Sequence, residues 1–402
     1  MSFQPPKGTD DIIAPESQAW RETLRLWEDW SERYGYPMLG LPIFESTDLF
    51  ERGVGETTEV VTKQMYTFTD QGGRSVSLRP EGTAGAVRAY LNSGQQGVWK
   101  ASYSGPFFRY ERPQAGRRRQ FWQVGVEHIG TPSPVADIEV IELGYRFISA
   151  SGTTEVTLLL NSIGDSECRP GYVEALRTHL RDREADLSPD SVALIDRNPL
   201  RVLDSKADGD KLSDAPRTLD HLCSACAEHF DAVKNGLEDL DIPYEVDASL
   251  VRGLDYYTRT AFEFIATGLD AAQNAVGGGG RYDGLAEAIG GSSTPGVGLA
   301  LGIDRIILAL ENPKRSHLDV YVVSETGPED ALLLASRLRR DGHRVDFDTE
   351  GRSVKAQFRT AGRLEVPVVV IWRGAEQPVH VQTEDERVEL PVEEVSGWIE
   401  RQ

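Results

Sequence analysis

The sequence predicts an α+β protein: a mixed domain led by an antiparallel hairpin, interrupted by a helical insertion, and followed by a separate α/β domain. Three observations carry this expectation. Between Gly105 and Gly130 the chain alternates as strand, loop and strand. From Gly164 to about Leu240 it becomes rich in Arg, Asp, Glu and Leu at helical spacing. Beyond Asn312 to Ser316, near-continuously apolar strands alternate with helices, the pattern of a mainly parallel sheet covered by helices. The 402 residues leave room for two or three domains and a large buried core.

Composition narrows the function. A net charge of −21 argues against a generalised nucleic-acid binder, although a local basic surface remains compatible with it. No apolar run approaches the ~20 residues of a membrane-spanning helix, and the N-terminus reads as no secretory leader. Cys168, Cys223 and Cys226 form no secreted disulfide framework, so a reducing cytoplasm is the expected location.

In chain order, a loop carrying Pro and Gly (PPKGTDDIIAP) precedes a helix from about Ser17 to Tyr34, whose Trp20, Leu24, Trp27 and Trp30 make an apolar stripe. A short strand at Tyr36 to Leu41 leads through Pro42 to a helical segment around Thr47 to Gly53. In LRPEGTAGAVRAYL a strand ends at Arg79–Pro80 and a helix begins near Thr83. Glu81 and Thr83 at that junction suit either projection into a cleft or helix capping.

The hairpin is the richest stretch. Phe107, Arg109 and Glu111 point to one side of the first strand, with Phe108 and Tyr110 on the other. On the second strand Gln123, Gly125 and Glu127 share a face, with Phe121 at its end and Gly125 leaving a gap. Trp122, Val124, Val126 and His128 occupy the opposite face. Such a polar face can grip a zwitterion and an anion together, whereas a salt-bridged hairpin is the ordinary alternative. Arg112, Arg117, Arg118 and Arg119 between the strands form a cationic tip suited to a polyphosphate or a nucleic-acid backbone.

Further on, a helix at Ser133 to Ser149 is followed by a strand at Thr153 to Asn161. Cys223 and Cys226 form a C-x-x-C, but they lie on one apolar helical stripe and no second C-x-x-C exists. They are expected to be buried thiols, with His221 and His229 as the nearby residues that would favour a metal. Asp247 to Ile265 reads as a strand, in which Arg252 beside Gly253 can approach a ligand closely. Tyr256 and Tyr257 would then face opposite sides, so that only one enters a cleft. GGGGRYDGL reads as a flexible glycine loop without the ending of a phosphate-binding P-loop. Gly296 to Leu310 is a strand running into a helix, with Asp304 and Arg305 in its first turn.

FRYERPQAGRRRQFWQ resembles the second signature motif of class II aminoacyl-tRNA synthetases, in the form found in histidine–tRNA ligases. LVRGLDYYTRTAFE and GGGGRYDGL resemble two motifs specific to that family, and GVGLALGIDRIILAL resembles the third class II motif. The resemblance implies an antiparallel-sheet catalytic domain in two parts, residues 1–164 and 241–311, with a helical insertion at 165–240 folded over the tRNA acceptor arm. It implies an α/β anticodon-binding domain at 317–402 and a homodimer.

By that resemblance the substrates are ATP with Mg²⁺, L-histidine and the histidine tRNA. Arg109 and Arg252 would neutralise charge at the reacting centre. Glu81, Gly82, Thr83 and Gln123 would hold the amino group of histidine. Glu127, Tyr256, Tyr257 and Tyr282 would fit its ring. Arg109, Glu111, Arg117 and Arg305 would bind ATP. Trp122 stands where the family usually has histidine, and a packing change is expected there. The alternative is a non-catalytic paralogue of this fold that regulates ATP phosphoribosyltransferase. Such a protein is expected to lack the C-terminal domain and to degrade the arginine motifs, both of which this chain keeps.

Overall fold

The structure, a computed structural model, describes residues 3–114, 116–153, 155–203, 205, 207–212, 214–251, 253–267, 269, 274–310, 318–374 and 377–401. The chain divides into two compact units, Met1–Asp11 with Thr23–Glu311, and Ile12–Glu22 with Asn312–Gln402.

The first unit opens with helix α1 (Glu16–Arg33, shared with the second unit), strand β1 (Phe44–Ser46), helix α2 (Thr47–Val54), strands β2 (Thr67–Thr69) and β3 (Ser75–Leu78), and helix α3 (Thr83–Ser93). The main hairpin is β4 (Trp99–Phe108) and β5 (Gln120–Ile129), followed by α4 (Pro134–Ala150) and β6 (Val156–Ser162). Helices α5 (Arg169–Asp182), α6 (Pro189–Leu194), α7 (Leu200–Leu203) and α8 (Ser224–Asp239) come next. The chain then returns through β7 (Glu245–Val246), β8 (Thr258–Ala266), β9 (Ala275–Arg281), α9 (Leu285–Ala288), β10 (Gly296–Gly302) and α10 (Ile303–Leu308).

Among the described residues, β4-β5-β10-β9-β8-β6-β7 form one sheet, antiparallel throughout except for the β6–β7 pair. Helix α4 covers one face. Ser133 caps it, accepting from the Val135 N–H, and Pro134 opens it where a missing N–H costs nothing. Its Val140, Ile141, Leu143, Phe147 and Ile148 are fully buried. The opposite face, left open, carries the site.

Two sequence expectations are corrected here. The glycine run is a strand: Gly277 to Gly280 lie within β9, between β10 and β8. Glycine is a poor strand former, but the neighbours leave no room for anything larger. A Cβ at Gly277 would come 2.5 Å from the Ala300 carbonyl, and one at Gly279 would fall on the Gly298 carbonyl. Conversely, residues 247–251 and 253–257 are turns and irregular chain, with β8 starting only at Thr258. Strand alternation does not apply there, and Tyr256 and Tyr257 lie side by side with ring centroids 4.6 Å apart.

In the second unit, strands β11 (Val320–Ser324), β12 (Val345–Phe347) and β13 (Val368–Trp372) are parallel, while β14 (Val379–Gln382) and β15 (Arg387–Leu390) extend the sheet antiparallel in the order β12-β11-β13-β14-β15. Helix α11 (Pro328–Arg340) and the final helix α13 (Val395–Ile399) bury Leu334, Leu338, Trp398 and Ile399 against one face of the valine-rich strands. Helix α12 (Val354–Arg363) packs Ala361 and Phe358 on the other.

A buried ionic network ties α4, α8 and β9 together behind the main sheet. Arg281, fully buried, pairs with Asp137, with Asp283 at 3.1 Å, and with the Thr131 and Ser133 carbonyls at 3.0 Å each. His229 Nε2 lies 3.2 Å from the same Asp137 carboxylate. Burial opposes ionisation of Asp137, yet His229 and Arg281 hold its carboxyl below the ordinary value. Removing one partner of such a network leaves the other charge buried and uncompensated. Asp137→Ala is therefore expected to cost about 3–5 kcal/mol in urea denaturation. A double variant with Arg281→Met should recover part of that loss, and simple additivity of the two changes would contradict the coupling.

Candidate active site

On the open face, residues from neighbouring strands lie in register. One row runs Tyr103, Gly125, Ala300, Gly278, Glu263, and the next runs Ala101, Glu127, Gly298, Gly280, Ala261. Each large or polar side chain in these rows has Gly or Ala beside it. The resulting cleft spans about 1050 Å³ when the space open to solvent is included.

Its first end is acidic and aromatic. Glu81, at the junction of β3 and α3, accepts from the Thr83 and Ala84 N–H groups at 2.7 and 2.9 Å and from the Tyr256 hydroxyl at 3.3 Å. It caps the helix and lines the cleft at once. Burial raises its pKa, opposed by those N–H donors and by nearby Arg109. Gln123 also lines the cleft, and its buried Oε1 has no hydrogen-bond partner among the described residues, an acceptor waiting for a donor.

Glu127 sits one layer deeper. It is fully buried, accepting from Tyr282 at 2.6 Å and Tyr103 at 3.2 Å, with Thr83 also donating. Burial pushes its pKa up to about 8, further raised by the charge of Glu81, while the three hydroxyls oppose the rise. Gly82, Thr83, Tyr256, Tyr257 and Tyr282 complete this end. Burial raises the pKa of Tyr103, Tyr256 and Tyr282 well above the ordinary value, so all three are neutral donors at pH 7.

The second end is cationic. Arg109 leaves the end of β4, donates to the Pro80 carbonyl at 2.9 Å and lies 5.4 Å from the centre of the Phe121 ring. Arg305, in the first turn of α10, reaches the Gly116 carbonyl at 3.2 Å and the Ala275 carbonyl at 2.5 Å. Burial, with the adjacent Arg117, lowers its pKa. Arg117 pairs with Glu111 at 2.9 Å. The hairpin tip is therefore less solvated than its sequence implies. Arg118 bridges Asp10 and Asp304, Arg119 stacks on Tyr110 at 3.8 Å, and only Arg112 of the four tip arginines is exposed.

The structure thus brings Glu81, Gly82, Thr83, Arg109, Glu111, Arg117, Gln123, Tyr256, Tyr257, Tyr282 and Arg305 around one cleft, with Glu127 directly behind it. Arg252 lies outside the described residues. Tyr103, Phe121, Glu263 and Asp304 also belong to the site. Of these, Tyr103 had a readable signal: it stands opposite Gly125, where a Cβ would fall on its ring.

Residues 8–306 match the family described as Histidyl-tRNA synthetase, and residues 318–402 match the Anticodon binding domain. The chain belongs to the histidyl-tRNA synthetase family. The histidine–tRNA ligase of Geobacillus thermodenitrificans is 44% identical, with 99% of this chain and 98% of that protein covered. The apo histidyl-tRNA synthetase of S. aureus superposes with a TM-score of 0.78 at 34% identity, covering 99% of this chain and 100% of the other. A Bacillus halodurans protein described as an ATP phosphoribosyltransferase regulatory subunit/histidyl-tRNA synthetase gives a TM-score of 0.67 at 20% identity, covering 93% and 99%. That likeness concerns the fold alone. The α+β architecture expected from the sequence is the one this family has, and Trp122 takes part in the site through its backbone N–H, which donates to Asp304 at 2.8 Å.

The raised pKa of Glu127 makes a linkage prediction. Between the ordinary glutamate value of 4.5 and about 8, the folded chain holds a proton that the unfolded chain releases. Stability is therefore full below that window, falls as pH rises through it, and is level above. Glu127→Gln should flatten part of this fall in urea midpoints measured against pH. Identical profiles for the two proteins would mean that Glu127 is already ionised in the folded state.

Proposed function

We propose that this enzyme activates L-histidine with ATP in the cleft and transfers it to the terminal ribose of the histidine tRNA. One observation carries the reading: a carboxylate-and-tyrosine pocket and an arginine-lined pocket are halves of the same cleft. An ammonium suits Glu81, Thr83 and the unpartnered Gln123 Oε1. The imidazole suits the ring of tyrosines backed by Glu127, where its polar hydrogen bonds have no apolar counterpart. Tyr256, Tyr257 and Tyr282 would close around it.

In the first step the histidine carboxylate attacks the α-phosphorus of ATP and pyrophosphate leaves, giving histidyl-adenylate. Two anions must meet while charge spreads over the phosphoryl oxygens, so positioning and cations are what the step requires. Arg109 would serve the α-phosphate. Arg117 and Arg305 would hold the outer phosphates and nucleotide, with Glu111 near the adenine. Arg252 would join Arg109 by family resemblance. ATP would enter as its magnesium complex, and the carboxylate of Glu263 on the cleft wall is the kind of hard oxygen donor this ion would take. In the second step the terminal ribose hydroxyl of the tRNA attacks the adenylate carbonyl and AMP leaves.

The second unit would read the anticodon. Helix α12 exposes Lys355, Arg359 and Arg363 four residues apart, a basic row suited to an RNA backbone. Helices α5 to α8 of the insertion would meet the acceptor arm. A homodimer is supported by the exposed apolar side chains of Met38, Ile43 and Phe44 in one short stretch. Among the described residues no helix is long and apolar enough to cross a membrane, and no disulfide joins the three cysteines, which fits a reducing compartment.

Histidine-dependent ATP–pyrophosphate exchange, followed by tRNA charging, tests the proposal. A folded protein without exchange would favour the regulatory reading. Arg109→Ala and Arg252→Ala are each expected to lower kcat for adenylate formation by about 10²–10³, on the order of 3–4 kcal/mol, by analogy with losing one oxyanion donor. Transfer from preformed histidyl-adenylate should suffer less, because attack on phosphorus is already complete. Single-turnover kinetics of both steps would show it, and near-parental adenylate formation would remove the residue from the reacting centre.

A further inference from the structure

Cys168 and Cys226 are 58 residues apart in sequence, yet their sulfurs lie 3.7 Å apart. Cys168 sits at the start of α5, and Cys223 and Cys226 sit at the start of α8. Asp165 joins them. Its Oδ1 is 3.5 Å from the Cys168 sulfur and 3.9 Å from the Cys223 sulfur. One donor atom from each of the four residues falls within 4.8 Å of all the others. His221 and His229 belong elsewhere, His221 against the Tyr172 ring and His229 against Asp137.

We infer that Asp165, Cys168, Cys223 and Cys226 form a tetrahedral zinc site that fixes the helical insertion to the catalytic sheet. Geometry supports it first. With Zn–S near ~2.3 Å and Zn–O near ~2.0 Å, a tetrahedron separates two sulfurs by about 3.8 Å and sulfur from oxygen by about 3.5 Å. The Cys168–Cys226, Asp165–Cys168 and Asp165–Cys223 distances are of that size, and all the donors lie within 4.8 Å of one another. The donor set of three thiolates and one carboxylate suits zinc, and four protein ligands leave no open position, as in structural sites. The sequence form is D-x-x-C and C-x-x-C, two short loops each followed by a helix.

The surroundings are built for it. Cys226 is fully buried and Cys168 nearly so. The Asp165 N–H donates to the Cys168 sulfur at 3.3 Å, and Oδ1 accepts from the Glu167 N–H at 3.0 Å. Arg259 holds the other oxygen, Oδ2, at 3.2 Å, which turns Oδ1 toward the sulfurs. Binding Zn²⁺ would release the three thiol protons to solvent and leave the ion with its ligands at a net charge of about −2, facing the Arg259 guanidinium. Arg259 follows Tyr257 by two residues, so the site anchors the segment that places two tyrosines in the cleft.

Elemental analysis of the full chain, purified without a polyhistidine tag, should find one zinc per chain, released when a mercurial titrates the thiols. Asp165→Cys should keep the zinc, and Cys226→Ser should lose it. Should the serine variant fail to fold, cobalt exchanged into the parent protein gives the same answer. Thiolate-to-cobalt charge transfer with intense tetrahedral d–d bands is expected, and Asp165→Cys should strengthen the charge-transfer band. Metal-free protein with three titratable thiols would overturn the site. So would metal-free protein with a single thiol, the mark of a Cys168–Cys226 disulfide, or a weak octahedral cobalt spectrum.

Discussion

Glu127 is buried between Ala101 on one neighbouring strand and Gly298 on the other, and a carboxylate fits there only because both neighbours are nearly bare. A Cβ at Gly298 would collide with it. The same holds one row along, where Tyr103 leans across Gly125 and a side chain at Gly125 would strike its ring. The polar face therefore exists at the expense of sheet stability, since each bare position forgoes packing that a β-branched residue would supply. What the sheet loses there is offset on its other face, where α4 buries five large apolar side chains at roughly 1.5–3 kcal/mol apiece.

That division of labour explains what is readable from the sequence. Along β4 and β5 the period of two is strict, so the face shared by Gln123, Gly125 and Glu127 is legible from alternation alone. The helical stripe of α1 and the alternating strands of the second unit are equally plain. The glycine run is not, because its local preference says loop and only the carbonyls of β10 explain its place in a strand. Tyr256 and Tyr257 mislead for the converse reason: a strand-like pattern, which would put them on opposite faces, sits on irregular chain. Asp165 and Cys168 carry no local sign of joining a C-x-x-C in another helix, since nothing in a sequence reports contact across 58 residues.

Charge is organised in the same way, by place and not by amount. The chain carries 64 acidic and 43 basic residues, so its mean field repels an RNA. Arginines near the cleft are nonetheless turned inward, where low dielectric magnifies them. Arg117 is neutralised by Glu111 and Arg118 by Asp10 and Asp304, so two of the four arginines lining the cleft are held in ion pairs. A polyphosphate entering must compete with these carboxylates. Such competition favours a ligand with several negative charges over one with a single charge, which is a form of selection.

The tyrosines at the other end of the cleft are fixed by their near neighbours in the chain. Tyr282 comes directly after Arg281, whose buried network reaches α4 and α8. Tyr257 lies two residues before Arg259, which is tied to Asp165 in the loop before α5. Thr258 and Arg281 are partners across β8 and β9, so both anchors act on the same strand ends. Arg259 adopts a positive φ of 53°, a conformation a non-glycine residue takes only when its surroundings enforce it. The Ile163 and Arg259 amides enforce it, donating to the Arg259 and Gly164 carbonyls at 2.8 Å each. Polar side chains that shape a binding pocket must hold their hydroxyls within about 0.5 Å of the productive geometry. Placing them at strand ends, one clamped by Arg281 to α4 and the other by Arg259 to the loop before α5, lets a bare glycine floor carry the pocket.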